Sequence, residues 1–282
     1  MEINRVCVIG AGTMGHGIAH VSALAGCEVV LADLSQKVVI AGVDKIKANL
    51  DKGVEKGKVT PEAAEQAMAR IRATTDISSA AVDADLVVEA IPEKLELKQE
   101  LFRSLGAPAH AILATNTSSL SVAKIASAAP DSRRVLGMHF FNPVHIMELL
   151  ELVVHEGTAD EVRDAAVSFG RRIGKEVIVV RDFPGFATSR LGVCLGMEAI
   201  RMVEQGVASA EDIDKAMVLG YRHPVGPLRL TDMVGLDVRL AIGEYLAREL
   251  GNSAFEPPAL MRQMVADGQL GKKSGQGFYR WS

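Results

Sequence analysis

Cysteine is scarce in this chain: three thiols in 282 residues, Cys7, Cys27 and Cys194. Their scatter fits neither a disulfide framework nor the paired spacing of a zinc site, so they read as small buried hydrophobes in a reducing compartment, and no metal is expected. No apolar run approaches the length needed to span a bilayer, which excludes a membrane-spanning helix. Neither sign of charge dominates. With 31 Lys and Arg against 35 Asp and Glu the net charge is −4, which argues against nucleic acid or an anionic membrane as the main partner. No signal or transit-type segment precedes the first strand pattern, so the cytoplasm is the expected location. Internal repeats and low-complexity tails are absent too. What is present is a globular composition, 48% hydrophobic and 23% charged, long enough for one large domain or two ordinary ones.

The most informative stretch is the beginning. Val6-Cys7-Val8-Ile9 is a short apolar run, Gly10-Ala11-Gly12-Thr13-Met14-Gly15 follows at once, and Ile18 to Ala25 has helical character. Strand, glycine turn and helix in this order form a dinucleotide-binding crossover. Gly10 permits the tight turn, Gly12 lets a pyrophosphate approach the backbone, and Gly15 lets the helix pack on the strand. Thr13 and Met14 complete the turn, and the N–H groups at the helix start face the diphosphate. A second apolar run, Glu28 to Ala32, ends at Asp33. An acid there accepts hydrogen bonds from a ribose 2′-OH and repels a 2′-phosphate; with Leu34 next and no arginine, the pattern favours NAD over NADP. The bland alternative is a tight turn with a surface aspartate.

Val39, Val43, Ile46, Leu50 and Val54 recur on one helix face, and Thr60-Pro61-Glu62 starts a second helix, so a helical hairpin interrupts the nucleotide-binding unit. The lysines of this hairpin, Lys56 among them, fit a solvated face or a docking face for a phosphorylated ligand. Further strands are expected at 85–91, 111–115, 134–139, 149–155 and 176–180, alternating with helices. That alternation predicts an α/β, Rossmann-type, mostly parallel sheet covered on both faces, with ligands beyond the carboxyl ends of its strands. Three polar clusters fall there: Glu93 to Lys98, Asn116 to Ser119, and His139 to Asn142. After Asp182-Phe183-Pro184-Gly185-Phe186 no strand signal remains, so residues 1–183 are expected to form the sheet domain and 184–282 an all-α domain. A long helix is predicted over about 228–250. The glycine-rich end, Gly271 to Tyr279, fits either a flexible surface segment or a loop folded back on a site or interface.

His139 follows one strand and Glu151 lies in the next, and the short connection lets the second strand run back beside the first. A carboxylate on one imidazole nitrogen would fix the tautomer and leave the other nitrogen to act as a base, as oxidation of an alcohol by NAD requires. A satisfied structural histidine is the competing reading, and His16, His20 and His145 are further candidates.

Gly10-x-Gly-x-x-Gly, Asn116-Thr-Ser-Ser-Leu, His139-Phe-Phe-Asn-Pro, Asp182-x-Pro-Gly-Phe and the closing Gly-x-Gly-Phe-Tyr together resemble the L-3-hydroxyacyl-CoA dehydrogenase family over essentially the whole chain. The resemblance implies reversible, (S)-specific oxidation of a 3-hydroxyacyl-CoA, such as 3-hydroxybutyryl-CoA, by NAD. It also implies a helical C-terminal domain that closes on substrate and forms a homodimer. It makes His139 the catalytic base, Glu151 its partner, and Ser118 a contact of the reacting oxygen. Asn116, Glu93 and Lys98 would stand near the cofactor, and Lys56, Asn142 and Ser189 would bind substrate. Ser189 stands where the family usually has asparagine, which suggests a different substrate preference or a slower enzyme. Two alternatives stay open: a dehydrogenase of a free hydroxy acid or sugar acid, and a non-catalytic NAD-binding protein.

Overall fold

The computed structural model describes residues 1–281, which form two compact units, 1–182 and 183–281. In the first unit β1 (Arg5–Ile9) leads through the glycine turn into α1 (Gly15–Leu24) and β2 (Glu28–Ala32). The hairpin of α2 (Gln36–Glu55) and α3 (Pro61–Ala69) follows. Ser35 Oγ accepts from Val38 N–H at the start of α2, and Thr60 Oγ1 accepts from Ala63 N–H at the start of α3, so each helix begins at a side-chain cap. Val39, Ile46 and Leu50 are buried, with Val43 and Val54 packed beside them, which is the face that the apolar spacing defines.

The chain continues through β3 (Ile71–Thr74), α4 (Ile77–Ala80), β4 (Leu86–Glu89), α5 (Leu95–Ser104), β5 (Ile112–Thr115), α6 (Val122–Ala126) and β6 (Val135–Phe140). Then come β7 (Leu149–Val154), α7 (Asp160–Arg172) and β8 (Glu176–Arg181). The strands lie in the order β3-β2-β1-β4-β5-β6-β7-β8. All neighbours are parallel except β6 and β7, which are antiparallel because only eight residues separate Phe140 from Leu149. A parallel return would need a crossover of a dozen residues or more. β4 and β5 are buried on both faces, as central strands of a covered parallel sheet are. The sequence order reverses between β1 and β4, and the crevice at such a reversal, beyond the strand ends, is where this architecture takes its ligand.

The second unit packs α8 (Thr188–Glu204), α9 (Ala210–Lys215), α10 (Pro227–Val234), α11 (Leu236–Leu250) and α12 (Ala259–Ala266) around Val193, Met197, Ile200, Leu228, Leu246 and Met261. Among the described residues no helix is long and apolar enough to cross a membrane.

Two elements differ from the sequence-based expectation. β3 was not anticipated: it is a four-residue edge strand, half-exposed, with Arg72 inside it, and so carries little apolar signal. The long helix expected over 228–250 is two helices, broken at Gly235 with φ of 109°, a backbone conformation that a helix interior does not hold.

The glycine-rich terminal segment is folded back. Asp232 accepts from Phe278 N–H (3.0 Å), Tyr279 N–H (2.9 Å) and Trp281 Nε1–H (2.8 Å), and a methyl group on Gly277 would overlap its carboxylate. Asp232 is buried, so this carboxylate is solvated by the segment it holds. Asp232→Ala is expected to destabilise the protein by about 2–4 kcal/mol and to expose residues 271–281 to limited proteolysis. An unchanged digestion pattern would show that other contacts hold the segment.

Candidate active site

The glycines of the first turn divide their work. Gly10 has φ of 101° and donates its N–H to Ala32 O at 2.7 Å, and a methyl group there would run into Ala90 O. A methyl on Gly15 would overlap Gly10 O, whereas the space in front of Gly12 is open. The first and third glycines thus close the loop and the second leaves it approachable. Met14 caps α1 without a side-chain hydrogen bond, and no acid lies in the first turn, so the helix start presents N–H groups to an anion. Thr13 is exposed on this loop.

Asp33, at the end of β2, is tied into the same loop. Its Oδ2 accepts from Ala11 N–H at 2.9 Å and its Oδ1 from Ser35 N–H at 3.1 Å. Each carboxylate oxygen has a second lone pair for a ribose hydroxyl. An open Gly12, an uncapped helix start and an acid fixed beside them fit a dinucleotide with an unmodified 2′-OH.

At the far strand ends the antiparallel register sets His139 opposite Glu151. His139 Nδ1 and Glu151 Oε2 are 2.7 Å apart, and both residues are buried. The Phe141 ring lies 4.5 Å from the imidazole, centroid to centroid, and restricts its tilt. Asn116 Oδ1 accepts from Phe140 N–H at 3.0 Å, which fixes the β5 end to the β6 end. Glu93 Oε1 accepts from Thr117 Oγ1 and from Ser118 N–H (2.9 Å), so this acid shapes the backbone that carries Ser118.

Lys98 Nζ stands 3.3 Å from Glu93 Oε2, but its closer partner is Glu89 at 2.6 Å. In the sequence Glu89 stands only as one residue of a buried strand, with no role attached. The signal was present, one acid inside the otherwise apolar run from Leu86 to Ile91. Glu89 is fully buried and also accepts from Thr115 Oγ1 and Ile91 N–H. Burial pushes its carboxyl above the ordinary range, and the Lys98 charge pulls against that rise. Lys98 thus bridges β4 to the polar loop ends.

Asn142 is exposed on the loop between β6 and β7. The base of that loop is held from beneath: Lys175 Nζ donates to Val144 O (2.5 Å) and Met147 O (2.7 Å), and the His20 and His145 rings stack at 5.2 Å. His20, His145 and Lys175 line a cleft of about 490 Å³ with Asn49 and Lys58 of the hairpin. Lys56 is exposed at the end of α2, two residues before Lys58. Ser189 lies half-buried in the first turn of α8, in the second unit.

A parallel sheet with this glycine turn at its point of reversal, followed by a helical unit, is the architecture of a dinucleotide-dependent oxidoreductase. The family model described as "3-hydroxyacyl-CoA dehydrogenase, NAD binding domain" matches residues 5–183, and that described as "3-hydroxyacyl-CoA dehydrogenase, C-terminal domain" matches residues 185–281. The chain belongs to the 3-hydroxyacyl-CoA dehydrogenase family, and its first unit carries the NAD-binding domain. It is 43% identical over 283 residues to a 3-hydroxybutyryl-CoA dehydrogenase of Mycobacterium tuberculosis, covering 99% of both chains. A probable 3-hydroxybutyryl-CoA dehydrogenase of Bacillus subtilis is 42% identical over 281 residues, 99% of this chain and 98% of that one. Among solved structures, the (S)-3-hydroxybutyryl-CoA dehydrogenase of Ralstonia eutropha superposes with a TM-score of 0.95 at 40% identity, covering 100% of both chains.

Lys98→Met would strand the Glu89 charge in the interior and is expected to cost about 3–5 kcal/mol in urea unfolding, most of which the pair Glu89→Gln/Lys98→Met restores. A single variant as stable as the parent would refute the coupling. His20 gives a pH dependence. Burial, followed by the charges of His145, His16 and Lys175, pushes it down to about 4 from an ordinary value of 6.5. The unfolded chain therefore binds a proton that the folded one refuses between those values, and stability falls as pH drops from about 6.5 to 4, by on the order of 3 kcal/mol. His20→Leu is expected to flatten that part of a stability-against-pH curve; an unaltered slope would place the titration elsewhere.

Proposed function

We propose that the protein is an NAD-dependent (S)-3-hydroxyacyl-CoA dehydrogenase that acts reversibly on short-chain substrates, with 3-hydroxybutyryl-CoA among them. The observation that carries the reading is the buried 2.7 Å contact between His139 and Glu151 at a strand end. A buried carboxylate held against one ring nitrogen orients the imidazole and leaves the other nitrogen free to act as a base, and a cofactor-binding protein without turnover has no need of a proton relay.

In this reading Glu151 holds the His139 ring so that Nε2 receives the 3-hydroxyl proton. NAD, held by the glycine turn and Asp33, would supply the acceptor for the hydride from C3, so that the alcohol, losing that hydride and the proton taken by His139, would become a ketone. In reverse, the protonated imidazole returns the proton to the carbonyl oxygen. Ser118 hydrogen-bonds that oxygen, its backbone steadied by Glu93. Asn116 stands at the nicotinamide end, and Gly10, Gly12, Thr13, Met14 and Gly15 cradle the diphosphate. Asp33 reads the ribose. Asn142 and Ser189 contact the acyl part, and Lys56 with the hairpin meets the CoA phosphates. The family supports a homodimer formed by the helical unit and a cytoplasmic location.

The test is the initial rate of NADH oxidation with acetoacetyl-CoA against free acetoacetate. Turnover of the thioester alone is expected, and turnover of the free acid alone would replace this reading with the hydroxy-acid one. His139→Ala is expected to lower kcat by at least about 10³-fold with NADH affinity intact. A kcat near that of the parent would remove His139 from the role.

A further inference from the structure

The loop between β6 and β7, residues 141–148, lies outside the strand ladder and is seated on α1 instead. Val144 occupies the space that Gly17 leaves: a methyl group on Gly17 would stand 2.8 Å from Val144 Cβ. Three residues along the same helix face, the His20 ring stacks on His145, with centroids 5.2 Å apart and planes 16° from parallel. Lys175 holds the carbonyls of Val144 and Met147 from beneath. The loop begins with Phe141, whose ring packs on the His139 imidazole. A contact made on α1 thus bears on the ring that stands against Glu151.

The stack accommodates neutral rings only. His20 is 3% exposed, and its Nδ1 meets no hydrogen-bond partner among the described residues. A protonated ring would bring an N–H to that position with nothing to receive it. The charged and titratable groups that face the pair are nearly all basic. His145 lies across the stack, Lys175 lies beneath, and His16, whose Nδ1–H donates to Gly12 O at 2.7 Å, stands one turn back on α1. Lys52 of α2 acts on His145, and Lys58 and Arg172 line the same cleft. Arg172 is engaged with Ala25 O, Ile3 O and Asn4 Oδ1. Glu148 is the one acid among the described residues that line the cleft, and its charge acts on Lys175. Burial, and then repulsion from these groups, holds both His20 and His145 below the ordinary histidine value.

We propose that the His20–His145 stack is a proton-sensitive latch that positions the catalytic base: with both rings neutral it keeps the β6–β7 loop on α1 and Phe141 against His139, and uptake of a proton by the pair releases the loop and slows turnover in acid. His20 and His145 are positioning residues in this account, and the effect on turnover rests on the reading of His139 as the base. Released into water, the His20 ring returns from about 4 toward its ordinary value of 6.5, so the open loop binds a proton that the seated loop refuses between those values. Opening is therefore favoured as pH falls, by about 10-fold between pH 7.5 and pH 5.5.

The experiment measures hydrogen exchange of residues 141–148 and NADH oxidation with acetoacetyl-CoA, each from pH 7.5 to about pH 5.5, in the parent, in His20→Phe and in His145→Ala. In the parent, loop opening corrected for intrinsic exchange is expected to rise about 10-fold, and turnover to fall about 3- to 10-fold. The catalytic imidazole works protonated in this direction, so its own titration does not produce that loss. His20→Phe keeps an aromatic stack that takes no proton. It is expected to match the parent at neutral pH and to lose the acid response in both readouts. His145→Ala removes the stack and is expected to turn over about 10-fold more slowly across the whole range. A pH response of exchange or turnover that is the same in His20→Phe as in the parent would overturn the inference, as would His145→Ala with the parent's rate and profile. Should His20→Phe fail to fold, the parent decides: corrected loop exchange that stays constant over the range overturns the latch. Absence of turnover on any thioester removes the proposed function, and the exchange readout then decides the latch by itself.

Discussion

The single antiparallel pairing in an otherwise parallel sheet is the constraint on which the candidate site depends. A parallel β7 would run from the opposite end of the sheet and would not set its acid directly opposite His139. The short turn after Phe140 forces β7 back along β6, and the register then sets Glu151 against His139. A one-residue slip would move every side chain of β7 to the other face of the sheet and turn the acid away from the imidazole. The differing side-chain volumes packed on the two faces hold the pair in register, and the loop that makes the turn also carries Asn142.

Buried charge recurs elsewhere with different solutions. Glu89 and Lys98 neutralise each other, and the surplus oxygen positions are taken by Thr115 and Ile91. Asp232 is solvated by a returning chain end. Lys175 is solvated by two carbonyls of the loop between β6 and β7. In each case a charge too costly to bury alone fixes the position of a backbone segment that has no regular hydrogen bonding of its own.

Strands made of mostly apolar runs, such as Leu86–Glu89 and Ile112–Thr115, were legible in the sequence because burial on both faces selects for such a composition. β3 was not, since an edge strand with Arg72 in it carries no such run. The helix break at Gly235 was hidden because a glycine within an apolar periodic stretch looks the same whether the helix continues or turns. In the site, the glycine turn and Asp33 could be read from order and spacing alone. The 2.7 Å approach of His139 to Glu151 could be suggested by a strand return but depended on a register that spacing does not give. Glu89 escaped notice because its partners come from Lys98 and Thr115, residues that only the folded sheet brings beside it.

The two hydrogen bonds that Asp33 accepts have a consequence for anyone redesigning the cofactor preference. The carboxylate placed to discriminate between ribose and its phosphate is also the tether that keeps Ala11, and with it the diphosphate loop, at the end of β2. Recognition and scaffold are one side chain. A switch toward NADP that merely exchanges Asp33 for a small or basic residue would therefore gain room for the phosphate while loosening the loop beneath it. Only a replacement set that restores an acceptor for the Ala11 N–H can alter selectivity without eroding affinity, and this narrows the routes by which such an enzyme can change its coenzyme over evolutionary time.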